Sequence, residues 1–90
     1  MKRYLMIFTG RVQGVGFRYH TYELARSLGL TGKVRNLMNG DVEIEVQGSD
    51  DAFNKFLGGI LKGNGFIKVT DYSMKEIPVD PTEKTYKITG

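Results

Sequence analysis

The residues best suited to chemistry in this chain of 90 lie in one run, Gly10-Arg11-Val12-Gln13-Gly14-Val15-Gly16-Phe17-Arg18. Three glycines in seven positions let successive backbone N–H groups converge on one point. A helix beginning at Phe17 would add its unpaired first donors and the positive end of its dipole. Such a nest holds a phosphate without side chains. Arg18, in the first helical turn, could fold back onto the same anion, because its guanidinium is a planar fork of donors. A plain tight turn would use the same glycines, so the loop alone leaves both readings open. It is not a Walker A motif, since no Gly-Lys-Ser/Thr follows at the required spacing. Nor is it a dinucleotide fingerprint, for which ninety residues leave no room.

Charge distribution points to the same segment. The net charge is +3, but residues 1–35 carry seven basic groups against Glu23 alone, a net +6, and the remainder carry six lysines against nine acids, a net −3. All five arginines fall in the first part. An anion site there competes with a solvated basic face. Arg11 and Arg35 are expected to face solvent. His20, the single histidine, is expected to pack or face water rather than to act in catalysis. Cysteine is absent, which removes disulfides, thiolate nucleophiles and cysteine zinc sites. The apolar stretch after Met1-Lys2-Arg3 runs only from Tyr4 to Phe8, too short for a signal peptide or a membrane span, so a soluble, cytoplasmic protein is expected.

The elements that must position the loop follow from periodicity. Arg3–Thr9 is β-rich and reads as a strand buried on both faces, with a loop from Gly10 to Gly16. Phe17, Thr21, Leu24, Ala25 and Leu28 mark one face of a helix that Gly29 ends. Gly32–Asn36 and Asp41–Gln47 are two antiparallel strands, joined through Asn39-Gly40 in a turn expected to be type I′. In the second of these, Val42, Ile44 and Val46 alternate with Glu43, Glu45 and Gln47, the mark of one buried and one solvated face. Ser49 caps a second helix carrying Phe53, Phe56, Leu57, Ile60 and Leu61, in which Gly58-Gly59 signals either close packing or local weakness. Phe66–Ile77 reads as a strand with a bulge near Asp71-Tyr72. Pro78–Thr82 is a loop and Thr85–Ile88 a short last strand. The order βαββαβ plus one strand predicts an α+β, ferredoxin-like two-layer sandwich, with two helices on one face of an antiparallel sheet, as a single domain over residues 1–90.

The nine-residue loop, with Gly32-Lys33-Val34-Arg35-Asn36 and Gly40-Asp41-Val42-Glu43 downstream, resembles the acylphosphatase family over essentially the whole chain. The resemblance implies hydrolysis of a small acyl phosphate to a carboxylate and inorganic phosphate, with no metal or cofactor. Arg18 matches the arginine that binds the phosphoryl group together with the amides of Gln13, Gly14, Val15, Gly16 and Phe17. Asn36 matches the asparagine that holds the attacking water. Both roles suit the chemistry: phosphoryl transfer needs positioning and charge stabilisation, and a carboxamide can orient a water without removing its proton. Phosphate or sulfate should occupy the loop as product or inhibitor, and the protein should act as a monomer. Lys33, Leu37 and Asn39 depart from the family's usual tryptophan, small hydroxyl residue and aspartate. Leu37 is the departure expected to lower the rate.

Two other classes share the element order. A nucleic-acid-binding module would carry basic and stacking aromatic residues on the third strand, where Glu43 and Glu45 stand instead. A non-catalytic ligand-sensing domain would bind the same small anion and turn nothing over, so hydrolysis separates it from the enzyme.

Overall fold

The computed structural model describes residues 1–90 as β1 (Lys2–Arg11), α1 (Phe17–Ser27), β2 (Thr31–Asn36), β3 (Val42–Gly48), α2 (Asp50–Lys62), β4 (Lys68–Ile77) and β5 (Tyr86–Ile88). The sheet order is β4-β1-β3-β2-β5. Among β1 to β4 every pairing is antiparallel, as expected. β5 runs parallel to β2, so the sheet is mixed. A strand reached after a long connection is free to add in either direction, and the pattern of one short segment does not specify which.

Alternation sets the layers. Met6 and Phe8 of β1, Val34 of β2, Val42, Ile44 and Val46 of β3 and Tyr86 of β5 turn inward and are buried. They meet Phe17, Thr21 and Ala25 of α1 and Phe53, Phe56 and Ile60 of α2. Each fully buried large side chain contributes about 1.5–3 kcal/mol through burial. β1 is not buried on both faces: Leu5 and Ile7, on the side without helices, are only half-buried. On that open face Glu43 pairs with Arg35 at 2.9 Å, and Glu45 with Lys33 at 3.5 Å and Arg3 at 3.2 Å.

Gly59 accounts for the glycine pair in α2. A Cβ there would come within 2.9 Å of Leu24, so the glycine lets α2 close against α1, whereas Gly58 faces open space. His20 packs at the same crossing, with Nε2 3.3 Å from the Gly59 carbonyl oxygen.

Two turns differ from expectation. The β2–β3 connection is not type I′, because Gly40 has φ +97° and Asn39 has no positive φ. Instead Gly40 N–H donates to the Leu37 carbonyl at 3.3 Å, and the Asn39 side chain accepts from Asp41 N–H at 3.0 Å, leaving only one residue in the left-handed region. The strand β1 also continues to Arg11, past the expected loop start. Thr9 pairs with Asp71 and Gly10 with Val69, so the bulge falls at Thr70. A Cβ at Gly10 would lie 2.2 Å from the Lys68 carbonyl oxygen, so only glycine lets the strands pass here.

Candidate active site

The loop between β1 and α1 is shortened by this extension to Val12–Gly16. Val12 is buried as an anchor, and Gly14 and Gly16 adopt φ +73° and +77° with nothing near the position a Cβ would take. These two glycines are required by backbone conformation and not by crowding. From Gln13 to Tyr19 no backbone N–H donates a hydrogen bond within the protein. The first to do so is His20, to the Gly16 carbonyl at 2.9 Å.

The two helix starts differ in a way that matters chemically. α2 is capped by Ser49, whose hydroxyl accepts from Ala52 N–H at 3.1 Å, and Asp50 and Asp51 offset its dipole. α1 has Gly16 at its cap, no side-chain cap and no acid in its first turn. It carries Arg18 there instead, a cation placed against the dipole at an expected cost of about 0.3–1 kcal/mol. An anion at this point would reverse that sign and satisfy the free N–H groups together.

Arginine pairing sharpens the assignment. Arg3 and Arg35 are held by carboxylates, and Arg26 donates to the Tyr22 hydroxyl at 3.2 Å and lies over its ring. Arg11 and Arg18, which flank the loop, enter no ion pair. Arg35 is exposed as expected, although Glu43 holds its guanidinium.

Arg18 and Asn36 line one depression of about 190 Å³ together with Gly14, Gly16 and Phe17. Its remaining walls are Val12, Tyr19 and Ile88. The Asn36 carboxamide is half-buried at the end of β2, opposite Val42. Grooves of about 440 and 480 Å³ lie elsewhere, one beside Tyr22 and Arg26 and one among Lys33, Arg35, Glu43 and Glu45. In both, these groups already engage one another. The smaller depression differs from these in joining an arginine free of ion pairs to a loop whose N–H groups have no protein partner.

Gln13 and Val15 have side chains outside the depression. Gln13 Nε2 donates to the carbonyls of Leu37 at 2.7 Å and Asp41 at 2.9 Å, tying the loop to the turn that follows Asn36. Val15 packs against the core. Neither residue lines the depression; what each has free is its backbone N–H in the adjoining loop. The α1 end is braced from β5: Tyr86 donates its hydroxyl hydrogen to Thr21 Oγ1 at 2.9 Å, and Thr21 donates to the Arg18 carbonyl at 2.9 Å. Sequence reasoning missed this brace, the Gln13 clamp, and the Tyr19 and Ile88 walls. Each depends on segments distant along the chain, and no local pattern signals them.

No group of three or more His, Cys, Asp or Glu side chains is placed to hold a metal ion, and no helix is long and apolar enough to cross a membrane.

Comparisons with known proteins identify the family of the whole chain. The acylphosphatase family model matches residues 4–88. An acylphosphatase of Clostridium beijerinckii is 52% identical over 98% of this chain and 98% of its own, and one of Clostridium acetobutylicum is 50% identical over 98% and 97%. The crystal structure of the Bacillus subtilis acylphosphatase superposes with a TM-score of 0.93 at 38% identity, covering all of both chains. An uncapped, glycine-bent helix start shared with an unpaired arginine, in a chain this similar along its whole length to acylphosphatases, places the protein in the acylphosphatase family.

Proposed function

We propose that residues 1–90 work as one domain that hydrolyses the carboxyl–phosphate anhydride of small acyl phosphates, with Arg18 and Asn36 as its catalytic residues. The single observation that carries the reading is the depression shared by Arg18, Asn36 and the loop whose N–H groups have no protein partner. In this reading the amides of Gln13 to Phe17 and the Arg18 guanidinium surround the phosphoryl oxygens, where charge gathers as the leaving group departs. Asn36 has both a donor and an acceptor and holds a water in line with the bond to be broken. The water oxygen bonds to phosphorus, and the bond from phosphorus to the bridging oxygen breaks. Its electron pair leaves on the carboxylate, and one water proton passes to a phosphate oxygen. The carboxylate is a good leaving group, so no strong protein base is needed.

The open sheet face presents Glu43 and Glu45, each engaged by basic neighbours, at the centre where a nucleic-acid module would stack bases. This supports a small-molecule substrate over nucleic acid. The proposal extends to a cytoplasmic monomer needing no cofactor, with phosphate or sulfate competing for the loop. Hydrolysis of benzoyl phosphate in ¹⁸O-water tests the route. Label in inorganic phosphate is the expected result; label in benzoate would place attack on carbon and remove the role given to Asn36.

A further inference from the structure

We infer that Tyr19 and Ile88 form the acyl-recognition wall of this depression, and that the enzyme favours acyl phosphates with an aromatic or branched apolar acyl group over acetyl or carbamoyl phosphate. This rests on the function proposed above and names its substrate class. The depression has two unlike sides. One is the loop, Arg18 and Asn36, which suits the phosphoryl group and the water. Of the apolar residues lining it, Val12 and Phe17 are each 1% exposed and belong to the core. Tyr19 and Ile88 are 60% and 42% exposed, so their apolar surface is available at the mouth.

Both side chains are held in place. Tyr19 stacks on Tyr22 with ring centroids 6.1 Å apart and 26° between planes. Ile88 lies opposite Val34 in the β5–β2 pair, and Thr89 N–H donates to the Val34 carbonyl at 2.8 Å just beyond it. Alternation along β5 puts Ile88 on the same face as the buried Tyr86, the face toward α1. The strand that the four-stranded βαββαβ core does not require thus brings an apolar side chain beside the phosphoryl site. A volume of about 190 Å³ falls below the roughly 300–1,000 Å³ of sites for drug-sized ligands, which suits a phosphoryl group with a compact acyl group lying against the wall.

The test compares kcat/KM for benzoyl phosphate and acetyl phosphate in wild type, Ile88→Ser and Tyr19→Ser, with inorganic phosphate as competitive inhibitor. One methylene in an enclosed pocket is worth about 10–200-fold, and a half-open wall less, so wild type should prefer benzoyl phosphate by about tenfold. Each substitution should lower the benzoyl-to-acetyl ratio about 3–10-fold while the phosphate inhibition constant stays within about twofold. A ratio that stays within twofold of wild type in the folded variants overturns the inference, as does a parallel loss of phosphate affinity. Tyr19 is exposed on α1, so Tyr19→Ser keeps the test valid if Ile88→Ser fails to fold. Hydrolysis of acetyl phosphate by wild type separates the two levels: absent turnover of both substrates defeats the proposed function, whereas equal turnover of both defeats only the acyl wall.

Discussion

Gln13→Ala removes the direct link between the two segments that carry the proposed catalytic groups. The side chain makes two hydrogen bonds, of 2.7 and 2.9 Å, to the carbonyls of Leu37 and Asp41. Neither carbonyl is orphaned by the change: Asp41 still accepts from Leu37 N–H at 2.8 Å, and Leu37 from Gly40 N–H at 3.3 Å. The loss is therefore two net hydrogen bonds without an added desolvation penalty, together about 2 kcal/mol. For a domain of this size, 1 kcal/mol moves Tm by about 4–8 °C, so a fall of about 8–16 °C is expected. The kinetic signature is separate. The free N–H groups and Arg18 remain, so in the proposed mechanism substrate should still bind, but the water assigned to Asn36 should no longer be fixed against the loop. A displacement of about 1 Å can lower a rate 10²-fold, and partial loosening should lower kcat about tenfold with KM changed less than threefold. Thermal melts by circular dichroism and steady-state hydrolysis of benzoyl phosphate read the two effects. A lowered Tm with kcat unchanged would show that Gln13 only stabilises the fold and would refute its role as a positioning residue.

Other perturbations follow from the same contacts. Gly14→Ala should destabilise by about 1 kcal/mol in urea, because its φ of +73° is strained for any residue with a Cβ although the space is open; no change would mean the left-handed turn is not required. Glu83→Ala leaves Arg3, which is 4% exposed, with only Glu45 and Gln47 as side-chain partners, and should cost about 2 kcal/mol, less than the roughly 3–5 of a fully broken buried pair. Stability within about 0.5 kcal/mol of wild type in urea melts would refute that estimate. Tyr86→Phe should flatten the alkaline limb of stability. Burial holds the Tyr86 phenol above its ordinary value of about 10, so above that pH the unfolded chain has lost a proton that the folded chain keeps, and stability falls as pH rises. Urea melts from pH 8 to 11 should show a shallower decline in the variant, and parallel curves would count against it.

Much of this architecture is written locally. The alternation of Val42, Ile44 and Val46 with Glu43 and Glu45, the helical spacing from Phe17 to Leu28, and the capped start at Ser49 each specify their element because burial on one side must match the backbone period. The loop from Gly10 to Arg18 was legible for the same reason, since glycine spacing and a helix start are local. What escaped is tertiary. The parallel placement of β5 and the Gln13 clamp depend on which segments meet, and a short strand or a single amide carries no pattern that names its partner, whereas the broken alternation near Asp71-Tyr72 did signal the bulge found at Thr70. Leu37 carries two separate parts: its side chain has no hydroxyl to offer beside Asn36, as the sequence states, while its backbone carbonyl accepts from Gln13 whatever the side chain, which only the structure reveals.

The most direct measurement is the rate of benzoyl phosphate hydrolysis by wild type, Arg18→Ala and Asn36→Ala, with EDTA present and folding checked by circular dichroism. If the depression they share is the catalytic centre, wild type turns over and each folded variant loses about 10²–10³ in kcat/KM, the usual effect of removing one transition-state donor. Folded variants within a few-fold of wild type would contradict the assignment of both residues.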